Sequence, residues 1–138
     1  MRTLGIDLGT VRVGLALSDE LGITAMPVPA LSGVPGGEDL VEAIMAIAKE
    51  RGAGRVVIGL PIKLDGTEGP EAEGARAFAR VLSERSDLEV DLWDERLSTR
   101  QAEKLMIDAG VRRKKRRKSI DSVAAALVLQ SYLDARAR

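Results

Sequence analysis

The chain lacks both cysteine and histidine, and these two absences narrow its chemistry. Without cysteine there are no disulfides, no thiolate nucleophile and no thiolate metal site. Without histidine, the commonest proton carrier near neutral pH and the commonest transition-metal ligand are missing. If the protein is an enzyme, we expect carboxylates to carry its chemistry, and their hard oxygen atoms suit Mg²⁺ or Mn²⁺.

Long apolar runs and aromatic residues are also scarce. No run approaches the length needed to cross a bilayer, and no basic-then-apolar leader is present, which predicts a cytoplasmic protein with no membrane partner. One Trp, one Tyr and one Phe argue against recognition of single strands by base stacking. The 138 residues, 45% of them hydrophobic, predict one compact domain over residues 1–138.

The charge is balanced overall but unevenly distributed. The 21 basic and 21 acidic residues give a net charge of zero, yet seven basic residues stand in a row: Arg112, Arg113, Lys114, Lys115, Arg116, Arg117 and Lys118. Without them, 14 basic residues remain against 21 acidic ones. A concentrated positive segment on an acidic body favours contact with nucleic acid, because each neutralised phosphate releases counterions. The alternative is a solvated loop that aids solubility.

Hydrophobic patterning predicts a mixed α/β sheet covered by helices. Strands are expected at residues 3–9, 11–18, 23–31, 55–60 and 89–94, with Pro27 and Pro29 confining the third to an edge or a bulge. Helices are expected around residues 40–48 and 75–82, from Ser98 to about residue 109, and over residues 119–135. Residues 61–70 are predicted to form a loop. Three sequential strands followed by alternating helices and strands indicate crossover connections.

Three carboxylates stand out against this pattern. Asp7 lies inside an apolar strand, where burial is costly without a compensating partner, although it could instead cap the turn at Gly9. Glu95 ends the fifth strand, where ligands bind in α/β sheets, although an acid there could simply favour the next helix. Asp121 lies near the start of the last helix, after Ser119 as N-cap, and could be only a good first-turn residue.

The three acids together suit one reaction class. Carboxylates converging from two strands and a helix can hold one or two divalent ions for phosphodiester hydrolysis, which needs neither histidine nor cysteine. Neighbouring side chains that could contact phosphate are Thr10, Arg12 and Arg96.

Four segments, in order, carry a family resemblance: GIDLGTVRVGLALSD from residue 5, GLPIKLDGTEGP from residue 59, DERLST from residue 94, and IDSVAAALVLQSYL from residue 120. With them the chain resembles the YqgF family (also called RuvX), Holliday-junction-resolvase-like proteins of the RNase H-like superfamily. The resemblance implies a sheet of order 3-2-1-4-5, a divalent-metal site of Asp7, Glu95 and Asp121, and substrate contacts from Lys63 and Gly66. It also implies a role in maturing the 5′ end of precursor 16S ribosomal RNA, or resolution of branched DNA. We expect a monomer or weak homodimer, and symmetric resolution of a four-way junction would need the dimer.

The chain departs from the RuvC-type pattern in one position. A further acid expected one helical turn beyond Asp121 is replaced by Ala124, so we expect one well-held metal and a second that arrives with substrate.

Two other interpretations stay open. The segment GIDLGT is similar to the first phosphate loop of actin-like and sugar-kinase proteins, but those proteins enclose their nucleotide between two such domains. A non-catalytic RNA-binding factor would explain the basic segment but would not need the three carboxylates.

Overall fold

The computed structural model describes residues 1–9, 11–32, 36–98 and 113–137, and for residues 113–121 it describes the backbone alone. Its strands are β1 (Arg2–Leu8), β2 (Arg12–Ser18), β3 (Ala25–Ser32), β4 (Ala53–Leu60) and β5 (Glu89–Asp94). Its helices are α1 (Glu38–Arg51), α2 (Pro70–Arg85) and α3 (Arg113–Arg136), with one 3₁₀ turn at Glu95–Leu97.

The five strands form one mixed sheet in the order β3-β2-β1-β4-β5. The first three are antiparallel neighbours, whereas β1, β4 and β5 run parallel. This is the order that the family resemblance implied, and the five strand predictions are confirmed to within two residues at each end. Because β1, β4 and β5 are parallel, their carboxyl ends meet at one end of the sheet. We call this end of the strands the carboxyl edge, as distinct from the outermost strands.

The two faces of the sheet bury different sets of side chains. Leu4, Ile6, Val56 and Ile58 point to the face covered by α1 and α2, where Ile44 and Leu82 are fully buried. The opposite face, toward α3, carries the alternate positions of the same strands, because side chains alternate along a strand. Small residues occupy much of that second face, so α3 lies close to the sheet.

Gly5 shows how close that approach is. A Cβ atom at Gly5 would lie 2.8 Å from Cβ of Leu129 and 3.2 Å from the carbonyl oxygen of Ala125.

Two hydrogen bonds to β3 fix the direction of α3. Ser122 donates a hydrogen bond to the Val28 carbonyl, while the Ala25 amide, at the start of β3, donates to Gln130. Helix α3 therefore runs antiparallel to β1, and its amino-terminal half lies toward the carboxyl edge.

The edge position predicted for the proline-containing strand is confirmed, because β3 is the outermost strand beside β2. The helix predicted around residues 40–48 is also present, with Leu40, Ile44 and Ala48 buried. It ends at Gly52, whose φ of 71° is the left-handed conformation expected of a terminating glycine.

The start predicted for the last helix was wrong. Helix α3 begins at Arg113 rather than near residue 119, so most of the basic segment is helical. Lys and Arg are good helix formers, and nothing in residues 113–118 interrupts the helix. Asp121 therefore lies in the third turn rather than the first, Ser119 is not the N-cap, and the helix dipole does not explain this acid. The helix predicted from Ser98 to residue 109 lies outside the described residues.

Candidate active site

Asp7 and Glu95 meet at the carboxyl edge of the sheet, on the face toward α3. Asp7 is the last but one residue of β1, and Glu95 is the first residue after β5. Both side chains are half-buried, and a hydrogen bond joins them. Two residues that are 88 positions apart in the sequence are thus brought into direct contact by the parallel strand order.

One strand separates the two acids, and the contact depends on what lies between them. Strand β4 runs between β1 and β5, and Gly59 is the residue of β4 that faces the same side. A Cβ atom at Gly59 would lie 2.4 Å from Oε1 and 2.8 Å from Cγ of Glu95. The side chain of Glu95 therefore crosses β4 over the bare backbone of Gly59 to reach Asp7.

The environment of Glu95 favours its protonated form. Burial raises the pKa of the Glu95 carboxyl from its ordinary 4.5 to about 8, and the hydrogen bond to Asp7 and the negative charges of Asp7 and Asp94 add to this effect. At neutral pH, when no cation is bound, the Glu95 carboxyl therefore keeps its proton. A bound divalent cation would instead favour the ionised form of the Glu95 carboxyl.

The third predicted acid, Asp121, lies on the backbone of α3 one turn before Ala125, which packs on Gly5 of β1. Since α3 runs antiparallel to β1, residue 121 is on the part of the helix nearer the carboxyl edge. The side chain of Asp121 lies outside the described part of the chain. Among side chains that are described, no cluster of three or more potential metal ligands occurs.

Arg96 is held by the acid two residues before it. Its Nε and Nη2 atoms donate to the carboxylate of Asp94 at 3.0 and 2.8 Å, and this pairing holds the pKa of Asp94 below its usual range. Asp94 also accepts a bond from the backbone N–H of Arg96, which closes the 3₁₀ turn that carries Glu95. Asp94 thus organises this turn, in agreement with the alternative that an acid at the end of β5 favours the start of the next helix.

The other predicted substrate-contacting residues divide into two groups. Arg12, Lys63 and Gly66 lie in segments that adjoin the carboxyl edge, and the side chains of Arg12 and Lys63 are exposed. The ammonium group of Lys63 is folded back to 3.4 Å from the Cβ position of Gly69. Residues of the second group lie outside what the structure describes: Thr10 and Arg112 entirely, and the side chains of Arg113, Lys114, Lys115, Arg116, Arg117 and Lys118.

The sheet order is that of the RNase H-like fold class, and two paired carboxyl groups lie at its carboxyl edge. None of the described helices is long and apolar enough to cross a membrane.

Comparisons with known proteins identify the family within this class. Residues 1–135 match the family described as "RuvX: Holliday junction resolvase". A protein of Geobacillus kaustophilus is 50% identical over 137 residues, covering 99% of both chains, and one of Pelotomaculum thermopropionicum is 48% identical over 140 aligned positions, covering 100% of this chain and 90% of the relative. Both carry the curated name "Putative pre-16S rRNA nuclease". The chain belongs to the RuvX family and is a nuclease.

A solved structure supports the fold. T. thermophilus RuvC, in complex with a Holliday junction substrate, superposes with a TM-score of 0.60 at 14% identity, covering 99% of this chain and 96% of that chain. At this level of identity the similarity concerns the fold alone.

Proposed function

We propose that this nuclease is a single domain over residues 1–138 that hydrolyses phosphodiester bonds with a divalent cation, Mg²⁺ or Mn²⁺, held by Asp7, Glu95 and Asp121. The contact between the carboxyl groups of Asp7 and Glu95 carries the proposal. The two acids meet in a half-buried position, and burial together with the proximity of Asp7 raises the pKa of Glu95. A cation would stabilise this arrangement.

The residues present fit such a cation. Carboxylate oxygens are the ligands that Mg²⁺ and Mn²⁺ prefer, and a metal ligand must give up its proton before it binds. When bound, a divalent cation would activate water and stabilise the leaving oxygen of the phosphodiester. Asp7 and Glu95 would hold it from the sheet, and Asp121 would approach from α3, whose direction brings residue 121 toward the same edge.

The remaining residues would position the substrate. Arg12 and Lys63 supply exposed positive charge at the carboxyl edge, and Arg96 stands next to Glu95 in a turn that Asp94 fixes. The basic segment of α3, residues 112–118, would bind the nucleic-acid backbone without reading its sequence. Gly66 would let the loop after β4 approach the substrate closely.

We propose precursor 16S ribosomal RNA as the substrate, cut in the maturation of its 5′ end in the cytoplasm. The names of relatives that are 48 and 50% identical over nearly the whole chain support this choice. The four sequence segments of the family resemblance include each of the three acids and the loop beside them.

A cleavage assay tests the proposal. Labelled precursor 16S RNA, a synthetic four-way DNA junction and a plain duplex would be incubated with Mg²⁺ or Mn²⁺ and either the natural protein or Asp7→Asn. Asp87→Asn is the matched control, because Asp87 is exposed in the connection before β5, at the opposite end of that strand from Glu95. We expect cleavage of the RNA by the natural protein and by Asp87→Asn, and none by Asp7→Asn, which should still bind.

The four-way junction is included because resolution of branched DNA is the second candidate function. The family description names a Holliday junction resolvase, and the T. thermophilus RuvC structure contains such a junction. Junction cleavage in place of RNA cleavage would favour that function, and symmetric cuts would require two active sites and hence a homodimer rather than a monomer. Binding without metal-dependent cleavage of any substrate would instead favour a non-catalytic RNA-binding factor.

A further inference from the structure

The segment between β4 and α2 folds into a small hairpin at the carboxyl edge. Residues Ile62 and Glu68 form an isolated antiparallel bridge, and the Lys63 amide donates to the Thr67 carbonyl at 2.9 Å. The Gly66 amide donates to the Lys63 carbonyl at 2.8 Å. Gly66 has a φ of 89°, so the tip is a three-residue turn that closes on a left-handed glycine. Leu64 occupies the first position of this turn.

Side-chain contacts hold this hairpin in one conformation. Asp65 accepts hydrogen bonds from the amide and the hydroxyl of Thr67 at 2.9 and 2.6 Å. Arg76 of α2 donates two bonds to Glu68, at 2.7 and 2.8 Å. At the base of the hairpin, Ile62 packs on the core that α1 and α2 cover. Because these contacts already restrain the hairpin, its tip loses little conformational entropy when it binds a partner.

The tip itself presents a large apolar side chain to solvent. Leu64 is 93% exposed, the most exposed of the large hydrophobic residues in the described part of the chain. A single exposed leucine is common on protein surfaces. Leu64 differs in being presented by a fixed hairpin, flanked by polar residues, that follows β4 at the carboxyl edge. Exposed Val11 and Leu97 adjoin the same edge, after β1 and β5.

The hairpin also lies beside the turn that carries Glu95. The Cβ position of Gly66 lies 4.0 Å from Nη1 of Arg96, and Arg96 directly follows Glu95. A nucleic-acid strand laid over the two acids would therefore pass the hairpin tip. Its phosphates would be attracted by Arg96 and Lys63, whereas the side chain of Leu64 has no group that could bind a phosphate.

We propose that Leu64 contacts the face of a nucleobase next to the cleaved phosphodiester and displaces that base from its stack. This inference rests on the proposed function and adds a substrate contact to the same site. Apolar side chains, leucine among them, are inserted between bases by proteins that bend nucleic acid. The contact takes any base, because every base presents an apolar face, and it needs no aromatic residue.

The test uses leucines with similar exposure at opposite ends of the sheet. Leu21 is 81% exposed in the turn between β2 and β3, at the end of the sheet away from the carboxyl edge. Leu64→Ala, Leu64→Met and Leu21→Ala would be compared with the natural protein. The probes are a synthetic RNA helix with a single-stranded 5′ extension and a four-way DNA junction, each carrying 2-aminopurine beside the cleavage position. Binding is followed by 2-aminopurine fluorescence and cleavage by gel.

We expect the natural protein, Leu64→Met and Leu21→Ala to raise the fluorescence of the probe they cleave. Leu64→Ala should abolish that rise and cleave about tenfold more slowly, as expected when one leucine side chain is no longer buried against the base. Equal fluorescence and equal cleavage by Leu64→Ala and Leu21→Ala would overturn the inference, while an inactive Asp7→Asn would leave the proposed function intact. Absence of a fluorescence rise with either probe also overturns the inference. Absence of cleavage with a Leu64-dependent fluorescence rise supports the base contact and counts against the proposed function alone.

Discussion

A Cβ atom on Gly59 would lie 2.4 Å from Oε1 of Glu95, so the side chain of Glu95 occupies the space that any other residue at position 59 would need. This is the route by which an acid after β5 reaches an acid in β1 across an intervening strand. Glycine weakens a strand interior and often marks a close approach by another group, and here the approaching group is a carboxylate. Gly59 is therefore a positioning residue for the proposed metal site.

The first prediction follows from this close approach. Gly59→Ala should push the Glu95 carboxyl away from Asp7, and a displacement of about 1 Å can cost on the order of 100-fold in rate. The matched control is Gly54→Ala in the same strand, because the atoms nearest to its Cβ would be those of the exposed Met1 side chain, the first at 3.1 Å. Cleavage rates and urea unfolding would be measured for both. Equal cleavage rates in the two variants would show that cleavage does not require a residue without a side chain at position 59.

The second prediction concerns pH and the protein without metal. Because the pKa of Glu95 is raised from 4.5 to about 8, the folded state keeps a proton that the unfolded state has lost between these values. The metal-free protein should therefore lose stability as the pH rises from about 4.5 to about 8, to the extent that Glu95 contributes.

Urea unfolding in EDTA, at several pH values across that window, measures this slope. Glu95→Gln should flatten it, since the amide does not titrate, whereas Glu84→Gln on the exposed surface of α2 should leave it unchanged. A slope as steep in Glu95→Gln as in the natural protein would mean that Glu95 is not the group responsible.

The third prediction separates stability from activity at the other end of α3. Tyr132 donates a hydrogen bond to Asp91, its ring lies edge-on to Trp93 at 5.6 Å, and Arg136 stands over it at 5.5 Å. Tyr132→Phe removes a bond to a charged group while keeping the ring, so the free energy of unfolding should fall by about 1.5–3 kcal/mol. Cleavage by the folded variant should be unchanged, because Asp91 lies four residues before Glu95 along β5, away from the carboxyl edge. A Tyr132→Phe variant of normal stability, or one that folds and fails to cleave, would contradict the prediction that Tyr132 contributes to stability and not to cleavage.

The fourth prediction concerns the basic segment. Lys114→Gln with Lys115→Gln should weaken nucleic-acid binding and lower the slope of log affinity against log salt by about 0.7–0.9 for each phosphate that the protein no longer neutralises. Glutamine keeps helix propensity close to that of lysine, so α3 should persist. Lys49→Gln with Arg51→Gln, at the exposed end of α1, removes the same charge elsewhere. Equal salt slopes in the two double variants would mean that the basic segment serves solubility.

Much of the fold could be predicted because the patterns were local. The continuous β-branched run of β4 and the alternation in β2 set their strand boundaries, and Pro27 and Pro29 set the edge position of β3. The start of α3 could not be predicted in the same way. A run of seven like charges favours a break between helices, whereas the helix propensity of Lys and Arg extends α3 back to Arg113.

The site was predictable only in outline. That Asp7 and Glu95 lie at one edge follows from parallel strands whose carboxyl ends coincide. The direct contact between Asp7 and Glu95 could not be predicted. It depends on the register of β4 against β5, which puts Gly59 on the sheet face that carries both acids. The signal available was a glycine in the middle of an otherwise β-branched and apolar run, which indicates a close approach but does not name the group that approaches.

A Mn²⁺ titration by calorimetry tests most directly whether Asp7 and Glu95 hold a divalent cation together. The natural protein should bind Mn²⁺ and release close to one proton near pH 7, because the proton on the acid pair must leave. Asp7→Asn and Glu95→Gln should each lose most of the affinity, whereas Glu84→Gln should keep both the affinity and the proton release. Mn²⁺ binding of equal strength in all four proteins, with no proton released, would contradict the account.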